Sequence, residues 1–443
     1  MSDWTNMSAA DLGRGIAAGD IDPVAVAEAF FERIEAHPMT PRIYARLTRD
    51  RAMAEAEAAR ARAQAGRRLS PLDGVPVSWK DLFDTTGVAT EAGSALLEGR
   101  VPDADAEVLR VATGMGLVCL GKTHMSELAF SGLGLNPVTA TSPCVNNEAA
   151  VAGGSSSGAA ASVAYGLAAA AVGSDTGGSV RIPSVWNDLV GLKTTHGRLS
   201  LKGVVPLCEK FDTVGPLCRT VEDAALMLTA MEGRKALDLA GGEGLKNRRF
   251  GALQGLVLKD VRDAPLAAYQ SALDRLSAAG AEIVPVEFPE IEGPMADAGM
   301  LYTTEAWGIW GNQIEANPGK MFTPIEERFA AGKSFAGSDY VAAWRRVDAL
   351  RDVWADRMAG FDAVLCPTAP ILPPDVDRLM EDGDYYVTEN LMALRNTRVG
   401  NLMGLCAVTL PTGVPSCGIS LMGLPMQEDR LLRVCVAAEA ALA

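Results

Sequence analysis

The feature that most constrains the fold of this chain is a repeated order of one helix followed by one short apolar strand. Helices are predicted over 106–116, 158–166, 264–280 and 340–360, and the strands that follow them over 117–123, 167–176, 281–288 and 361–368. Alternation of this kind is typical of a sheet that lies between layers of helices. The pattern predicts an α/β fold with a central sheet covered by helices on both faces.

Two more helices are predicted near the start of the chain. The helix over 20–36 has Asp22 as its cap and Pro23 at its first position, where proline is favoured. The helix over 49–66 is rich in good helix formers and closes at Gly66. A chain of 443 residues could form one large domain or two ordinary ones. Since no repeat and no low-complexity linker divides it, we predict a single domain.

Charge and cysteine usage narrow the possible partners and the compartment. The 55 Asp and Glu residues outnumber the 40 Lys and Arg residues, for a formal net charge of −15. Such a surface repels phosphates, so direct binding to nucleic acid or to an anionic membrane is not expected. The start of the chain lacks the pattern of a secretory signal. Eight cysteines without a CxxC pair are expected to be buried thiols, which fits a reducing cytoplasm.

The segment GLVCLGKT, 116–123, matches the phosphate-loop pattern GxxxxGK[ST]. That loop needs free backbone amides around a phosphate. Leu117, Val118, Cys119 and Leu120 stand in its middle, and this composition is typical of a buried strand. We therefore expect these residues to be paired in the sheet, and nucleotide binding through Lys122 and Thr123 stays only an alternative.

The segment GSSSG, 154–158, matches the nucleophile-elbow pattern GxSxG around Ser156. An elbow needs a strand before the serine and a histidine late in the chain. The preceding NNEAAVAG does not resemble a strand, and no histidine follows His196. A histidine-dependent esterase is therefore disfavoured. With only His37, His124 and His196 in the chain, a histidine-rich metal site is disfavoured too, and no cofactor is predicted.

Three distant segments together resemble the amidase signature family. They are GVPVSWKDLFDTTG with Lys80, AGGSSSGAAASVAYG with Ser155, and GSDTGGSVRIP with Ser179, separated by 75 and 24 residues. The resemblance continues through the segments at 188–200, 211–228, 361–370 and 410–415, and so covers nearly the whole chain. It implies one domain over 1–443 with a mixed central sheet. Within it, the resemblance implies N-terminal helices in 1–66, a catalytic core in 70–230, and a substrate pocket and C-terminal part in 231–443.

The resemblance also implies a Ser–Ser–Lys triad. Lys80 can act as a base only when it is neutral, and its apolar neighbours Val77, Trp79, Leu82 and Phe83 fit a desolvated amine. Ser155 would relay the proton, and the family holds this serine after a cis peptide bond. Gly153 and Gly154 fit an unusual backbone there. Helix capping by the serine run is a second interpretation, and both can hold if Ser156 or Ser157 is the cap.

The Gly-Gly turn around Ser179 predicts an oxyanion hole. When Ser179 attacks, the acyl carbonyl becomes an anion that needs donors already aimed at it. Glycines let consecutive amides face one point, and the expected donors are the backbone N–H groups of Thr176, Gly177, Gly178 and Ser179. Asp175 and Arg181 are expected to pair and brace this turn. Ser174 and Ser184 have no predicted role.

The substrate pocket is the least defined part of the prediction. Its candidate residues are His124, Met125, Phe130, Gly153, Gly154, Tyr302 and Trp307. His124 stands where the family often has asparagine, and it either contacts substrate or is structural, with the second favoured. For the aromatic residues in 301–313, core packing is equally favoured. No cluster of arginines in the sequence demands a carboxylated substrate.

The sequence as a whole predicts an amidohydrolase that cleaves the C–N bond of a small linear amide through a seryl acyl-enzyme. The main alternative implied by the resemblance is the glutaminase subunit of a tRNA-dependent amidotransferase. A small-molecule amide is the expected partner, and a homodimer is left open.

Overall fold

The computed structural model describes residues 4–240 and 244–443. Eleven strands form one sheet in the order β1-β3-β2-β6-β8-β7-β12-β13-β11-β9-β10, and β4 and β5 form a separate pair. The strands are β1 Tyr44–Leu47, β2 Pro76–Lys80, β3 Val118–Thr123, β4 Pro143–Cys144, β5 Asn147–Val151, β6 Ala170–Ser174, β7 Val190–Lys193, β8 Val214–Cys218, β9 Arg249–Leu253, β10 Glu282–Val286, β11 Ala363–Pro367, β12 Cys406–Pro411 and β13 Gly418–Gly423.

Helices flank this sheet. They are α1 Ala9–Ala18, α2 Pro23–Ala36, α3 Thr40–Ile43, α4 Arg49–Gln64, α5 Glu107–Gly114, α6 Ser157–Ala164, α7 Arg181–Trp186, α8 Val221–Met231, α9 Asp263–Ala278, α10 Glu292–Ala316, α11 Thr323–Ala330, α12 Gly337–Met358, α13 Val376–Glu381, α14 Gly383–Leu402 and α15 Glu428–Leu442.

The sheet is mixed. Strand β2 runs parallel to β3 and β6, and β9 runs parallel to β10 and β11, whereas the strands between these groups pair antiparallel. One hydrophobic cluster extends from Ala9 to Leu442. The predicted single α/β domain with a mixed central sheet is confirmed, while the internal division at 66, 70 and 230 stays a prediction. The first three residues of the predicted segment 1–66 lie outside the described residues.

All four predicted helix–strand pairs are present, as α5–β3, α6–β6, α9–β10 and α12–β11. The residues predicted to start α2 and to end α4 are found at those ends. Asp22 accepts a hydrogen bond from the amide of Val24 at 3.2 Å, and Pro23 is the first residue of α2. Gly66, two residues after the end of α4, has a φ of +64°.

Residues 118–123 of the segment that matches the phosphate loop form strand β3. Its six residues are buried and pair with β1 and β2. The ammonium of Lys122 is used inside the protein, since it donates to Thr90 Oγ1 at 2.9 Å and lies 3.3 Å from Asp81 Oδ1. The predicted strand is confirmed, and these backbone groups cannot surround a phosphate.

One prediction about local structure is wrong. Asn147–Val151, expected not to be a strand, is β5, paired with β4. Its first three residues are exposed, so its sequence lacks the apolar alternation of a strand in the main sheet. Pairing at the surface in a two-stranded sheet does not need that alternation.

Two further properties concern the cysteines and the apolarity of the helices. All eight cysteines are free and buried, as predicted. No helix in the described part of the chain combines the length and apolarity needed to cross a bilayer.

Two glycine substitutions test the packing of the sheet. A Cβ at Gly215, in β8, would lie 1.9 Å from the carbonyl oxygen of Leu192 in β7. We expect Gly215→Ala to lower the free energy of unfolding by about 1–3 kcal/mol, because the two strands must separate to admit it. The urea midpoint measures this loss.

Gly308 provides the matched control. It lies exposed in α10, and a Cβ there would meet no atom within 4 Å. Gly308→Ala is expected to stabilise the protein by about 0.5–1 kcal/mol, because alanine is the better helix former. A Gly215→Ala protein as stable as Gly308→Ala would contradict the described packing of β7 on β8.

Candidate active site

Lys80 is the last residue of β2, a strand that lies between β3 and β6 in the sheet. Its side chain is fully buried. The Nζ atom donates to Ser155 Oγ at 2.7 Å and to Ser174 Oγ at 2.8 Å. Ser174 is the last residue of β6, which runs parallel to β2, so both side chains leave the same edge of the sheet.

Burial sets the protonation of Lys80. Transfer of the ammonium out of water lowers the pKa of Lys80 to about 7, although the carboxylates of Asp212 and Asp175 oppose part of this shift. Neither carboxylate accepts a hydrogen bond from Lys80, whose two acceptors are both hydroxyls. Lys80 can therefore be a neutral amine at a pH where an ordinary lysine is charged.

Ser155 lies in a backbone segment that packs closely against its neighbours. The peptide bond between Gly154 and Ser155 is cis, as the resemblance implies. A Cβ at Gly154 would lie 2.5 Å from both the amide nitrogen of Gly134 and Ser126 Oγ. The Ser155 carbonyl accepts a hydrogen bond from the Ser126 amide at 3.1 Å. Gly154 is thus required by the close approach of another segment to this backbone.

The serines that follow do not cap α6 through their side chains. Ser156 occupies the cap position without a side-chain cap bond, and its hydroxyl donates to the carbonyl of Ser174 at 3.2 Å. The hydroxyl of Ser157 donates to the carbonyl of His124 at 3.4 Å. Ser156 therefore stands at the cap position of the second interpretation, but neighbouring carbonyls engage both hydroxyls in place of the helix amides. The Ser156 hydroxyl has no imidazole partner among the described residues that would make it an elbow nucleophile.

Asp175 and Arg181 form a bidentate ion pair across the Gly-Gly turn. Arg181 Nε and Nη2 lie 3.0 and 2.9 Å from the two carboxylate oxygens of Asp175, and both side chains are fully buried. Burial alone would raise the pKa of Asp175, but the Arg181 guanidinium outweighs it and holds the pKa well below its usual value. Arg181 also donates to the carbonyl of Thr397 and to Asn401 Oδ1, which ties the turn to α14.

Four consecutive amides of this turn are free. The backbone N–H groups of residues 176–179 make no hydrogen bond with any described residue, whereas those of Val180 and Arg181 donate to Asp175. Free amides within a buried turn are rare. Gly178 has a φ of +139°, and a Cβ there would lie 2.2 Å from Thr397 Oγ1. The turn can therefore offer several donors to one anionic oxygen.

Ser179 lies at the end of these amides and lines a small cavity. The Ser179 carbonyl accepts from the Ser156 amide at 3.3 Å, which places the two serine segments side by side. The cavity is lined by Ala129, Phe130, Ser131, Thr176, Gly177, Ser179, Leu207, Tyr302, Arg328, Leu394 and Arg398. Of the predicted pocket residues, Phe130 and Tyr302 are among them.

The other five predicted pocket residues do not line this cavity. Gly153 packs against Trp186 and Pro183, and Gly154 against Gly134. Met125 is fully buried in the core. Gly153 and Gly154 directly precede Ser155 in the chain, but close packing around this backbone keeps them out of the cavity.

His124 and Trp307 complete this set. The amide of His124 donates to Ile43, and its carbonyl accepts from Gly158, so its backbone joins α3 to α6. Burial lowers the pKa of His124 to about 4, which keeps its ring neutral. Trp307 lies under the ammonium of Lys333, 4.3 Å from its ring centroid. The structural role favoured for His124 agrees with this placement.

Sequence reasoning missed Ser174 and the two arginines of the cavity. Ser174 stands at the end of β6, and the rule that parallel strands bring their carboxyl ends together could have placed it beside Lys80. Arg328 and Arg398 belong to α11 and α14 and to no motif, so nothing local predicted that they converge. The sequence shows no cluster of arginines that demands a carboxylated substrate, but the fold brings this pair into one cavity.

Within residues 4–240 and 244–443, no group of three or more His, Cys, Asp or Glu side chains is arranged to hold a metal ion. The predicted absence of a cofactor stays a prediction.

Comparisons with known proteins find similar chains over nearly the whole length of this one. The chain is 35% identical to a 2-amino-5-chloromuconic acid deaminase of Comamonas testosteroni, over 91% of this chain and 89% of that relative. It is 32% identical to one subunit of the glutamyl-tRNA(Gln) amidotransferase of Anaeromyxobacter dehalogenans strain 2CP-C, over 97% and 95% of the two chains. A solved amidase structure, 29% identical, superposes with a TM-score of 0.87 over 99% of this chain and 100% of the other.

Fold, site and relatives together define an enzyme of the class that hydrolyses carbon–nitrogen bonds. More narrowly, the chain belongs to the Amidase family, whose model matches residues 25–432. The resemblance found in the sequence is thereby confirmed over nearly the whole chain.

The second acceptor of Lys80 gives a prediction. Ser174→Ala removes one of two hydroxyls that hold Nζ, so kcat/KM for an amide should fall about tenfold. The hydroxyl also stabilises the ammonium, so its loss should lower the pKa of Lys80 and move the acidic limb of the pH profile to lower pH. Initial rates between pH 5 and 9 measure both effects.

Ser184→Ala, at the residue that follows the same motif, is the matched control. The Ser184 hydroxyl is buried without a hydrogen-bond partner among the described residues, so its removal should leave the pH profile unchanged and the stability equal or higher. An acidic limb that stays in place in Ser174→Ala would exclude a role for this hydroxyl in positioning Lys80.

Proposed function

We propose that this chain hydrolyses the C–N bond of a small linear amide through a seryl acyl-enzyme. One observation carries this proposal. Buried Lys80 is hydrogen-bonded to Ser155, and beside them lies a turn that has four free amides and ends at Ser179. The base, the relay and the donors for the oxyanion are the parts that acyl transfer to a serine requires.

In the first half of the reaction, Ser179 Oγ bonds to the carbonyl carbon of the amide. Its proton passes to Ser155 Oγ, and the proton of Ser155 passes to neutral Lys80. The carbonyl oxygen becomes an anion and is bound by the free amides of residues 176–179. The C–N bond then breaks, and the proton returns from Lys80 through Ser155 to the leaving nitrogen.

In the second half, water replaces the amine. It gives its proton to Lys80 by the same relay and bonds to the acyl carbon, and the C–O bond to Ser179 breaks. The proton returns to Ser179, so the enzyme is regenerated and a carboxylic acid leaves. Ser179 Oγ has no hydrogen bond to a described residue, and a substrate is expected to draw it toward Ser155.

A second candidate is the glutaminase subunit of a tRNA-dependent amidotransferase. The similarity to the amidotransferase chain of Anaeromyxobacter dehalogenans over 97% of this chain favours it. The relative of Comamonas testosteroni, by contrast, is named for the deamination of an acid. Ammonia release by the isolated chain from simple amides and from glutamine distinguishes the two candidates. We favour the amidase and expect it in the cytoplasm.

The identity of the nucleophile can be tested by covalent labelling. A fluorophosphonate probe is expected to modify Ser179, because its hydroxyl lines the cavity beside the free amides. Peptide mass spectrometry locates the modified residue, and Ser179→Ala should abolish the labelling. Modification of Ser156 would instead support the nucleophile-elbow interpretation.

The basicity of Lys80 can be tested by its pH dependence. Because the pKa is lowered to about 7, the neutral amine forms as pH rises through that value, so kcat/KM should rise below pH 7 and level off above it. Lys80→Arg keeps the charge but cannot deprotonate, so activity should fall as far as in Lys80→Ala. Lys80→Ala combined with Ser155→Ala should be little worse than either alone.

Lys122→Arg is the control for this series. Lys122 is also buried but lies beside Asp81, where a permanent cation is tolerated. In Lys122→Arg, the acidic limb of the pH dependence of kcat/KM should remain near that of the unchanged enzyme. Near-native kcat in Lys80→Arg would show that Lys80 supplies charge and not basicity.

A further inference from the structure

The cavity that contains Ser179 holds two guanidinium groups and no carboxylate from the described residues. Arg328 of α11 and Arg398 of α14 both line it, together with Tyr302. Among the described residues that line it, none is Asp or Glu. The site therefore carries local positive charge inside a chain whose net charge is −15.

Neither arginine has an acidic partner in the described part of the chain. Arg328 Nη1 donates to the carbonyl of Phe130 at 2.9 Å, and its guanidinium lies 4.3 Å from the Phe130 ring. Arg398 is only 9% exposed and donates no hydrogen bond to a described residue. Its guanidinium lies 5.7 Å from the Tyr302 ring. Arg328 is half-buried and Arg398 is buried, and a cation withdrawn from water without an anion is costly, so this pair is suited to an anionic ligand.

The form of the cavity narrows the chemistry of that ligand. The planar guanidinium matches a carboxylate, with which it forms two parallel hydrogen bonds. The same lining includes the apolar side chains of Ala129, Leu207 and Leu394. A short carbon chain with an amide at one end and a carboxylate at the other fits this distribution of groups.

The same groups disfavour an ammonium beside that carboxylate. Two guanidiniums repel an ammonium unless a carboxylate compensates its charge, and no described lining residue supplies a carboxylate. Asp212, which accepts from Thr176 Oγ1 at 2.5 Å, is also bound by the amides of Leu207 and Cys208. An α-amino acid amide would place its cation near two guanidiniums without compensation.

We propose that the substrate is the monoamide of a dicarboxylic acid, with its free carboxylate bound by Arg328 and Arg398 and with no ammonium group. This proposal rests on the proposed function in one respect, that the amide end reaches Ser179.

The binding test uses Ser179→Ala, so that it does not depend on turnover. Calorimetry compares three five-carbon compounds, which are glutaramate with a carboxylate alone, pentanamide with neither charge, and glutamine with both charges. The four-carbon set of succinamate, butanamide and asparagine repeats the comparison. In at least one set, the monoamide should bind about 10- to 100-fold more tightly than the other two, as expected for hydrogen bonds to a charged group. Equal binding of the neutral amide in both sets would overturn the proposal.

Substitution of each arginine tests the contacts. Arg328→Met and Arg398→Met, each made in Ser179→Ala, should weaken binding of the monoamide about 10- to 100-fold and leave that of the neutral amide unchanged. Arg395→Met is the control, since Arg395 lies on the same helix as Arg398 but does not line the cavity of Ser179. It lines a neighbouring pocket, which Arg328 and Arg398 also line. An equal loss of monoamide binding in Arg395→Met would show that the effect comes from the positive charge of α14 as a whole. This result would overturn the role of Arg398.

Turnover by the unchanged enzyme separates the two proposals. Hydrolysis of neutral amides and monoamides with equal kcat/KM would leave the amidase function in place and reject the carboxylate site. Tight binding of the monoamide to Ser179→Ala without hydrolysis of any amide by the unchanged enzyme would support the carboxylate site and reject the amidase function.

Discussion

The ion pair between Asp175 and Arg181 is the interaction on which the rest of the site depends. It is fully buried and joins the turn after β6 to the start of α7, while Arg181 and Asn401 connect both to α14. Desolvation of two charges offsets most of their attraction, so the pair adds little net stability. Removal of one partner, by contrast, leaves an unpaired buried charge, which lowers the free energy of unfolding by about 3–5 kcal/mol. The pair thus fixes the position of the turn more than it stabilises the fold.

The surroundings of the three buried lysines show why only one is suited to be a base. Lys122 lies beside Asp81, which favours its charged form, and Lys193 donates to the carbonyls of Thr194 and Leu405. Lys80 donates to two hydroxyls, and a hydroxyl can also give up its proton. The difference lies in the partner and not in burial, because all three side chains are almost completely removed from solvent.

Sequence reasoning predicted the parts of the molecule that depend on local pattern. The strand over 117–123 could be distinguished from a phosphate loop because its side chains are apolar, and the caps of α2 and α4 follow from Asp22, Pro23 and Gly66. Residues near one another only in space could not be predicted. Arg328 and Arg398 are 70 residues apart and meet because α11 and α14 pack around the same cavity. The exposed strand β5 was missed because surface pairing leaves no apolar pattern in the sequence.

One face of α14 serves two purposes at once. Leu394, Thr397, Arg398 and Asn401 follow the spacing that places side chains on the same side of a helix. Thr397 and Asn401 hold the Gly-Gly turn, whereas Leu394 and Arg398 line the cavity. The residues that hold the turn and those that line the cavity therefore alternate along one helix. Evolution can exchange the second set and leave the first intact, so the cavity can be adapted to new ligands within a single helical segment while the turn stays in place.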